Sequence, residues 1–328
     1  MKANWILIFI CALVTGMVVR GWLTVQEQNA QLVQIKRDLA AVPEDSVWHG
    51  APANQIPFYS KQKGSLIYYG YELIRNTAYY LGPEGTVAQI ANGLNCQNCH
   101  LDAGTRPYAY NFGKVFATYP MYRARNNKVQ TLYDRINDCM VRSMNGQPLQ
   151  KNSREMQAIY AYIQWLDKDI PKGCIKGGTQ VKAIPYMDTA ANTLSGKIVF
   201  MAKCQSCHGT DGQGQLNPLG SGYTYPPLWG QNSYNDGAGM FRLTKIAAFV
   251  FNNMPYGTNY HHPALSIEEA WNVGAYVNSQ PRPHYDAKAD WQDIKKKPVD
   301  YPYGPFGDQF SSFQHKYGPY KPMISKTD

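Results

Sequence analysis

The sequence predicts a mainly α-helical protein with two small domains in tandem, an N-terminal helical extension and a C-terminal wrapping tail. The pattern Cys-x-x-Cys-His occurs twice, at residues 96–100 and 204–208. Each copy lies between segments in which apolar and aromatic residues recur with helical spacing. Both copies therefore share one order of helix, motif, loop and helix, which indicates two related units within the 328 residues.

The repeated motif is typical of covalent haem c attachment. Two thiols at this spacing reach the two vinyl groups of one porphyrin, and the adjacent histidine supplies the proximal iron ligand. Two Cys-x-x-Cys pairs could also bind zinc, but a zinc site does not require a histidine directly after each pair. We therefore expect two covalently bound haem c groups. The thioether residues would be Cys96, Cys99, Cys204 and Cys207, and the proximal ligands His100 and His208.

The helical spacing predicts four helices that flank the motifs. They cover residues 65–81, 152–166, 194–202 and 267–278. This is the plan of a small cytochrome c domain, whose two end helices cross. We expect a signal peptide or membrane anchor at 1–22, a helical extension at 23–59, cytochrome c domain 1 at 60–170, a linker at 171–190, cytochrome c domain 2 at 191–280, and a tail at 281–328.

The two ends of the chain give further expectations. Lys2 precedes an apolar stretch over residues 5–19, which reads as an export signal or a single membrane anchor. Cleavage and retention as a tether both stay open, and either places the remainder in the periplasm. The tail after Pro281 has no helical period, but its many aromatic residues argue against free disorder. We expect it to wrap across one or both domains.

The formal net charge is +9, from 32 basic and 23 acidic residues. An excess of basic residues favours anionic partners or substrates, although a solvated basic surface would explain the net charge equally well. The longest run of basic residues is only Lys295-Lys296-Lys297. We therefore expect no nucleic-acid partner.

The sixth ligand of the second haem is predicted to be Met254. It follows His208 by 46 residues, precedes the last predicted helix and stands directly before a proline. Methionine ligation raises a haem potential. Met240, His261 and His262 are competing ligands, and Met254 could instead be a packed core residue.

The first domain has no Asn-Met-Pro segment of this kind. Of seven cysteines, four lie in the motifs and Cys11 lies in the N-terminal apolar stretch, which leaves Cys139 and Cys174. In an oxidising compartment they could form a disulfide. Cys139 could instead ligate the first iron as a thiolate. A third option is a methionine ligand from Met121, Met140 or Met144. Residue spacing alone leaves all three open.

Several segments of the chain carry a family resemblance. They are residues 93–104, 119–125, 135–139 and 142–146, with 303–305 and 314–319 in the tail. In these segments the sequence resembles the di-haem thiosulfate dehydrogenase/tetrathionate reductase family, over roughly residues 60–320. The resemblance implies His/Cys ligation of the catalytic haem, which maps to His100 and Cys139. It assigns no role to Cys174.

The resemblance also implies a basic and polar pocket. It maps to Arg125, Arg135 and Ser143, while the second haem maps to His208 and Met254. Some relatives carry a lysine just before this methionine, where this chain has Asn253. A His/Met second haem is therefore the simpler reading, and it slightly favours tetrathionate reduction.

The implied reaction joins two thiosulfate ions into tetrathionate with release of two electrons, or reverses it. Two dianions must meet, so fixed positive charge is needed, and arginine can clamp sulfonate oxygens. Cys139 would act both as iron ligand and as a sulfur nucleophile that transiently carries a thiosulfonate group. Arg123 and Arg142 are expected to pair with haem propionates. The second haem would exchange electrons with another periplasmic cytochrome c.

Three other functions compete with this reading. A non-catalytic di-haem electron carrier would explain both motifs, but it leaves Cys139 and its arginine neighbours without a role. A di-haem peroxidase would keep one haem open for peroxide. A SoxA-type haem protein also uses cysteine ligation, but it joins sulfur to the cysteine of a carrier protein.

Overall fold

The computed structural model describes residues 17, 19–22, 47–56, 61–218 and 220–324. The chain divides into two compact units, Met1–Glu44 and Asp45–Asp328. In the first unit, Met17 and residues 19–22 are helical, and the rest of the expected signal or anchor lies outside the described residues. Most of the expected helical extension does too. No helix in the described part of the chain is long and apolar enough to cross a membrane.

The larger unit begins with the helices around the first motif. They are α1 (Lys61–Arg75), α2 (Thr77–Leu81), α3 (Leu101–Gly104), α4 (Val115–Thr118), α5 (Leu132–Arg142) and α6 (Arg154–Leu166). A short antiparallel pair, β1 (Met121–Arg123) and β2 (Lys128–Gln130), precedes α5. Short 3-10 turns cover Ala53–Gln55, Cys96–Asn98 and Ala124–Asn126.

The elements around the second motif follow the same order. They are α7 (Thr193–Lys203), α8 (Gln205–His208), β3 (Gln215–Leu216), β4 (Tyr223–Tyr225), α9 (Leu243–Asn253) and α10 (Ile267–Ser279). The tail adds α11 (Ser312–Tyr317) and α12 (Lys321–Ile324), and 3-10 turns cover Gly239–Phe241 and Ile294–Lys296. The four predicted helices are all present, and the fold is mainly α-helical as expected.

In each domain the first and last helices cross at a glycine. A Cβ atom at Gly70 of α1 would overlap the carbonyl oxygen of Ala158 in α6. A Cβ atom at Gly196 of α7 would likewise overlap the carbonyl oxygen of Asn272 in α10. Because glycine has no side chain, the two backbones can approach closely at the crossing. The expected crossing of the end helices is thus present in both domains.

The tail lies across both domains, as the sequence predicts. Its residue Asp290 forms an ion pair with Arg142 at the end of α5, and Asp300 forms one with Arg242 just before α9. Asp300 is fully buried on its side chain. Buried ion pairs of this kind are costly to break on one side only, so they fix the path of the tail.

Asp167 is the C-cap residue of α6, where its backbone N–H donates to the carbonyl oxygen of Ile163, and the residue is almost completely buried, with 1% exposure. Its Oδ2 accepts a hydrogen bond of 2.9 Å from the backbone N–H of Ala117, whereas its Oδ1 has no partner. Burial raises the pKa of Asp167 to about 6, despite the opposing hydrogen bond and the charge of Lys172. Asp167 therefore keeps its proton to a higher pH in the folded protein than in the unfolded chain.

Gly196→Ala should lower the free energy of unfolding by about 1–3 kcal/mol, since the added methyl group meets rigid backbone. Gly239→Ala is the matched control, because a Cβ at Gly239 meets nothing within 4 Å. Denaturant unfolding of the two haem-loaded variants measures the difference. Equal stability of the two variants would contradict the proposed close crossing.

Asp167→Asn should make the protein more stable than the parent at neutral pH. The raised pKa means that Asp167 stabilises the fold below about pH 4 and loses this contribution as the pH rises through about 6. A neutral side chain avoids that loss, which is at most about 3 kcal/mol for a shift of about two units. Unfolding curves at pH 4 and pH 8 test this. A variant less stable than the parent at pH 8 would refute it.

Candidate active site

A mainly apolar cavity opens beside the first motif. Its empty volume is about 900 Å³, part of which is open to solvent. The motif contributes Cys96, Cys99 and His100 to the lining. Apolar walls come from the surrounding helices and loops, including Ile74, Leu94, Phe112, Val115, Leu132, Ile136, Ile159 and Ile163. The cavity is large enough for a planar cofactor, and its attachment residues lie in the wall.

Helix α5 supplies the chemically reactive side of the cavity. Arg135, Cys139 and the C-cap residue Ser143 all line it. Their spacing of four residues places them on one helix face. Thr131 caps the start of the helix, where its hydroxyl accepts a 3.3 Å hydrogen bond from the backbone N–H of Asp134. The sequence therefore contains a signal for this face. It is a capping box formed by Thr131 and Asp134, followed by Arg135, Cys139 and Ser143 at a spacing of four residues.

Arg135 and Cys139 are electrostatically paired within this face. The electrostatic interaction with the Cys139 sulfur is the main cause that raises the pKa of Arg135, and it outweighs the opposite effect of burial. A fixed cation thus lies one helical turn from the sulfur. The same cation attracts any further anion that enters the cavity.

His100 is oriented for metal binding. Its Nδ1 donates a short hydrogen bond to the carbonyl oxygen of Tyr110, and its ring stacks on Phe112 with centroids 4.7 Å apart. With Nδ1 committed to a backbone carbonyl, Nε2 is the nitrogen that remains for iron, which is the usual arrangement of a metal-ligating histidine. The donor set, the free thiols and the cavity volume together fit a haem c group.

The histidine of the second motif is oriented in the same way. His208 donates from Nδ1 to the carbonyl oxygen of Pro226 over 2.8 Å, and Cys204 and Cys207 are free thiols. Met254 is the C-cap residue of α9 and is partly buried. These residues fit a second haem c group, with Met254 still a prediction as its ligand.

Met240, a competing ligand for the second haem, lines the first cavity instead. His261 and His262, the other competitors, are both exposed. The second domain thus contributes to the first haem site, since Tyr234 lines the same cavity. Residue spacing could not reveal this contact between the domains.

The expected disulfide alternative is wrong. Cys139 and Cys174 are both free, with Cys139 in the cavity wall and Cys174 exposed in the linker. Met140 and Met144 also line the cavity, whereas Met121 does not. The geometry therefore leaves Cys139, Met140 and Met144 as candidates for the sixth ligand of the first haem.

Arg125 lies in the turn before β2 and is held by an acidic partner. Its Nη2 donates to Oδ2 of Asp138 over 2.6 Å, and the two side chains are only 13% and 11% exposed. Asp138 also accepts a 3.1 Å hydrogen bond from Nε2 of Gln130. Burial and the nearby charge of Arg142 lower the pKa of Arg125. Arg125 is not among the residues that line the cavity.

Arg142 has a protein counter-ion rather than the expected propionate. Its two terminal nitrogens donate to both carboxylate oxygens of Asp290 over 2.7 and 2.8 Å, and its Cζ lies 4.1 Å from the ring centroid of Tyr285. Asp290 is 148 residues away in the chain. The sequence alone could not identify Asp290 as the partner, because the two residues meet only when the tail folds across the first domain. Arg123, the other arginine assigned to a propionate, ends β1 and is partly buried.

Comparisons with known proteins support two haem c sites, one at each motif. Residues 86–171 match the family described as SoxA/TsdA, cytochrome c domain, and residues 194–281 match the family described as cytochrome c. A thiosulfate dehydrogenase of Stutzerimonas stutzeri is 37% identical over 220 residues, which cover 67% of this chain and 68% of that protein. One of Thiomonas intermedia is 33% identical over 244 residues, which cover 74% of each chain.

A solved structure is also similar. It is the "as isolated" form of thiosulfate dehydrogenase (TsdBA) from Marichromatium purpuratum, with a TM-score of 0.67 and 31% identity. The match covers 74% of this chain and 51% of the other, so this chain spans about half the length of that protein. The chain belongs to the di-haem thiosulfate dehydrogenase family, and it has two tandem cytochrome c domains with two covalently bound haem c groups.

Proposed function

We propose that the first cavity is the active site in which two thiosulfate ions and one tetrathionate ion are interconverted. The protein is an oxidoreductase of its family and acts on thiosulfate. The observation that carries the site assignment is the shared face of α5, where Cys139 lies between Arg135 and Ser143 in the wall of the cavity. A sulfur nucleophile, a cation and a hydroxyl donor are thus available to one substrate.

The haem-binding residues follow from the two motifs. When bound, each haem supplies a one-electron centre whose potential depends on its axial ligands. The first would be held by Cys96, Cys99, His100 and Cys139, and the second by Cys204, Cys207, His208 and Met254. Asn253 cannot replace Met254, because its amide nitrogen already donates to the carbonyl oxygens of Tyr108 and Phe249, each over 3.1 Å.

Charge neutralisation is the main task of the pocket. Two thiosulfate dianions repel each other, and an apolar cavity strengthens both this repulsion and its compensation by fixed charge. Arg135 can bind sulfonate oxygens with two parallel N–H donors, and Ser143 can donate one hydrogen bond. Arg125 is ion-paired with Asp138, so its proposed role is to hold α5, and with it Cys139, in position.

Cys139 can carry the sulfur chemistry. In the reductive direction its thiolate attacks one sulfane sulfur of tetrathionate, and the bond between the two sulfane sulfurs breaks. One thiosulfate leaves with the bonding electron pair, and Cys139 then carries an –S–SO₃⁻ group. Two electrons from the redox partner cleave this new bond, which releases the second thiosulfate and restores the thiolate. The oxidative direction is the reverse sequence, and the His/Met second haem with asparagine at 253 slightly favours reduction.

The redox partner would be another periplasmic electron-transfer protein, such as a cytochrome c. Helix α7 supports this, because Leu194, Ile198 and Met201 are exposed on the helix that leads into Cys204. An exposed apolar stripe beside a redox centre suits the small interfaces of electron-transfer encounters. We also propose export to the periplasm, with the N-terminal segment as signal or tether.

Cys139→Gly should abolish turnover in the haem-loaded protein, because the nucleophilic sulfur is lost. Assays in both directions measure this, one with thiosulfate plus a chemical oxidant and one with tetrathionate plus a reductant. Cys174→Ser is the matched control, since this thiol is free and exposed, and it should retain near-parental activity. Near-normal rates for Cys139→Gly would reject the assignment.

The same preparations separate the competing functions. Absorbance and EPR spectra of two ordinary His/Met haems, without turnover in either direction, would indicate a simple electron carrier. Rapid turnover of peroxide would indicate a peroxidase. Activity that requires a carrier protein would indicate the SoxA-type reaction.

Arg135→Gln should lower kcat/KM for thiosulfate by roughly 10- to 100-fold. The reason is the loss of charge-assisted hydrogen bonds worth about 1.5–3 kcal/mol to the transition state. Arg154→Gln makes the same change of net charge at an exposed position over the ring of Tyr69 and should have little effect. Equal rates for both variants would remove Arg135 from the proposed site.

A further inference from the structure

Two tyrosines close to the first motif have an uncommon backbone conformation. Tyr108 has a φ of 55° and Tyr110 a φ of 49°. Bulky residues adopt this left-handed region only at a cost in free energy, so surrounding contacts must hold them there. The carbonyl oxygen of Tyr110 accepts the hydrogen bond from Nδ1 of His100. Whatever holds residues 108–110, the proximal segment, therefore also orients the histidine predicted to bind the first iron.

One face of α9, in the second domain, holds the proximal segment. The hydroxyl of Tyr110 donates to the carbonyl oxygen of Lys245 over 3.2 Å. One turn later, the rings of Tyr110 and Phe249 stack with centroids 5.8 Å apart and an angle of 9° between their planes. After a further turn, Nδ2 of Asn253 donates to the carbonyl oxygen of Tyr108 over 3.1 Å. Because the three residues of α9 are four apart, they share one face of the helix.

The contact made by Asn253 is buried on both sides. Asn253 is 1% exposed and Tyr108 is 6% exposed. A buried carbonyl group that loses its donor is destabilised by more than the hydrogen bond itself contributes, so this amide constrains the backbone of Tyr108. The backbone N–H of Tyr108 in turn donates to the carbonyl oxygen of Gly178 over 2.7 Å. The start of the proximal segment is thus fixed between α9 and the linker.

The same end of α9 reaches the second haem site. Asn253 is the last residue of the helix, and Met254, the predicted ligand of the second iron, is its C-cap residue. Two consecutive residues therefore act on different sites. Met254 belongs to the second site, and Asn253 contacts the segment that supports His100 in the first.

We propose that Asn253 is a positioning residue for the first haem, which it acts on through the proximal segment and His100. The inference rests on the proposed ligation of the first iron by His100. A hydrogen bond from Nδ1 to a fixed carbonyl oxygen makes a histidine a stronger electron donor to its metal, which favours the oxidised iron. Asn253 thus keeps the potential of the first haem low. Through α9, the surroundings of the two irons are mechanically linked.

The test is a redox titration of haem-loaded Asn253→Ala, monitored by EPR to separate two haems with different proposed ligands. Without the amide the proximal segment relaxes, the hydrogen bond of His100 weakens, and the first haem should shift to a more positive potential. Asn252→Ala is the matched control. Asn252 is also 1% exposed and also donates to the carbonyl oxygen four residues earlier, but its other bond goes to Lys182 in the linker. This control should leave the first haem at its parental potential.

Tyr110→Phe tests the other end of the link. It removes the hydrogen bond to Lys245 but keeps the ring that stacks on Phe249 and the carbonyl group that faces His100. Lys245 lies in the first turn of α9, away from Met254. The first haem should therefore shift in the same direction as in Asn253→Ala, by a smaller amount, while the second haem stays at its parental potential.

Three results would overturn the proposal. They are an unchanged first haem in both Asn253→Ala and Tyr110→Phe, a shift confined to the second haem, and equal shifts of the first haem in Asn253→Ala and Asn252→Ala. If Asn253→Ala fails to fold, Tyr110→Phe decides the question alone. The titration needs no turnover, so a parental protein inactive on both sulfur compounds would reject the proposed function without affecting this result.

Discussion

The proposed active site depends on the pairing of Arg135 with Cys139 across one turn of α5. Both residues line an apolar cavity, and the electrostatic interaction with the sulfur raises the pKa of the arginine. A guanidinium held beside a sulfur gives this wall a local field that water would otherwise screen. Since the two side chains belong to one helix, their separation is set by helix geometry, independent of loop conformation. The remaining structure has to hold that helix against the haem motif.

The rest of the fold meets this requirement by surrounding α5 on several sides. Leu132, Ile136 and Met140 bury its apolar face, and Arg125 binds Asp138 on the neighbouring face. Asn235 of the second domain fastens the last turn. Met240 and Tyr234 then complete the cavity from outside the first domain. The first haem site is therefore formed by both domains, although each domain follows the same plan.

The sequence predicted the repeated plan well, because the haem motifs and the helical periodicity are local signals. The four end helices match their expected ranges to within a few residues, apart from the break between α1 and α2. Helix α5 was not among the predicted helices, although its buried residues Leu132, Ile136 and Met140 recur at a spacing of four. The sequence also could not predict which side chains meet only in the folded protein. The lone pair of cysteines suggested a disulfide, and the ion pairs of Arg125 and Arg142 involve residues that no local pattern connects.

The bidentate ion pair between Arg142 and Asp290 has a consequence for biogenesis. The carboxylate follows the arginine by 148 residues, and both side chains are almost fully buried, at 4% and 6% exposure. A ribosome adds residues in order, so α5 is synthesised before the partner that neutralises Arg142 has been translated. During that interval the guanidinium must stay hydrated, and the helix end cannot reach its final buried environment. Completion of the first haem site thereby depends on delivery of a nearly complete polypeptide.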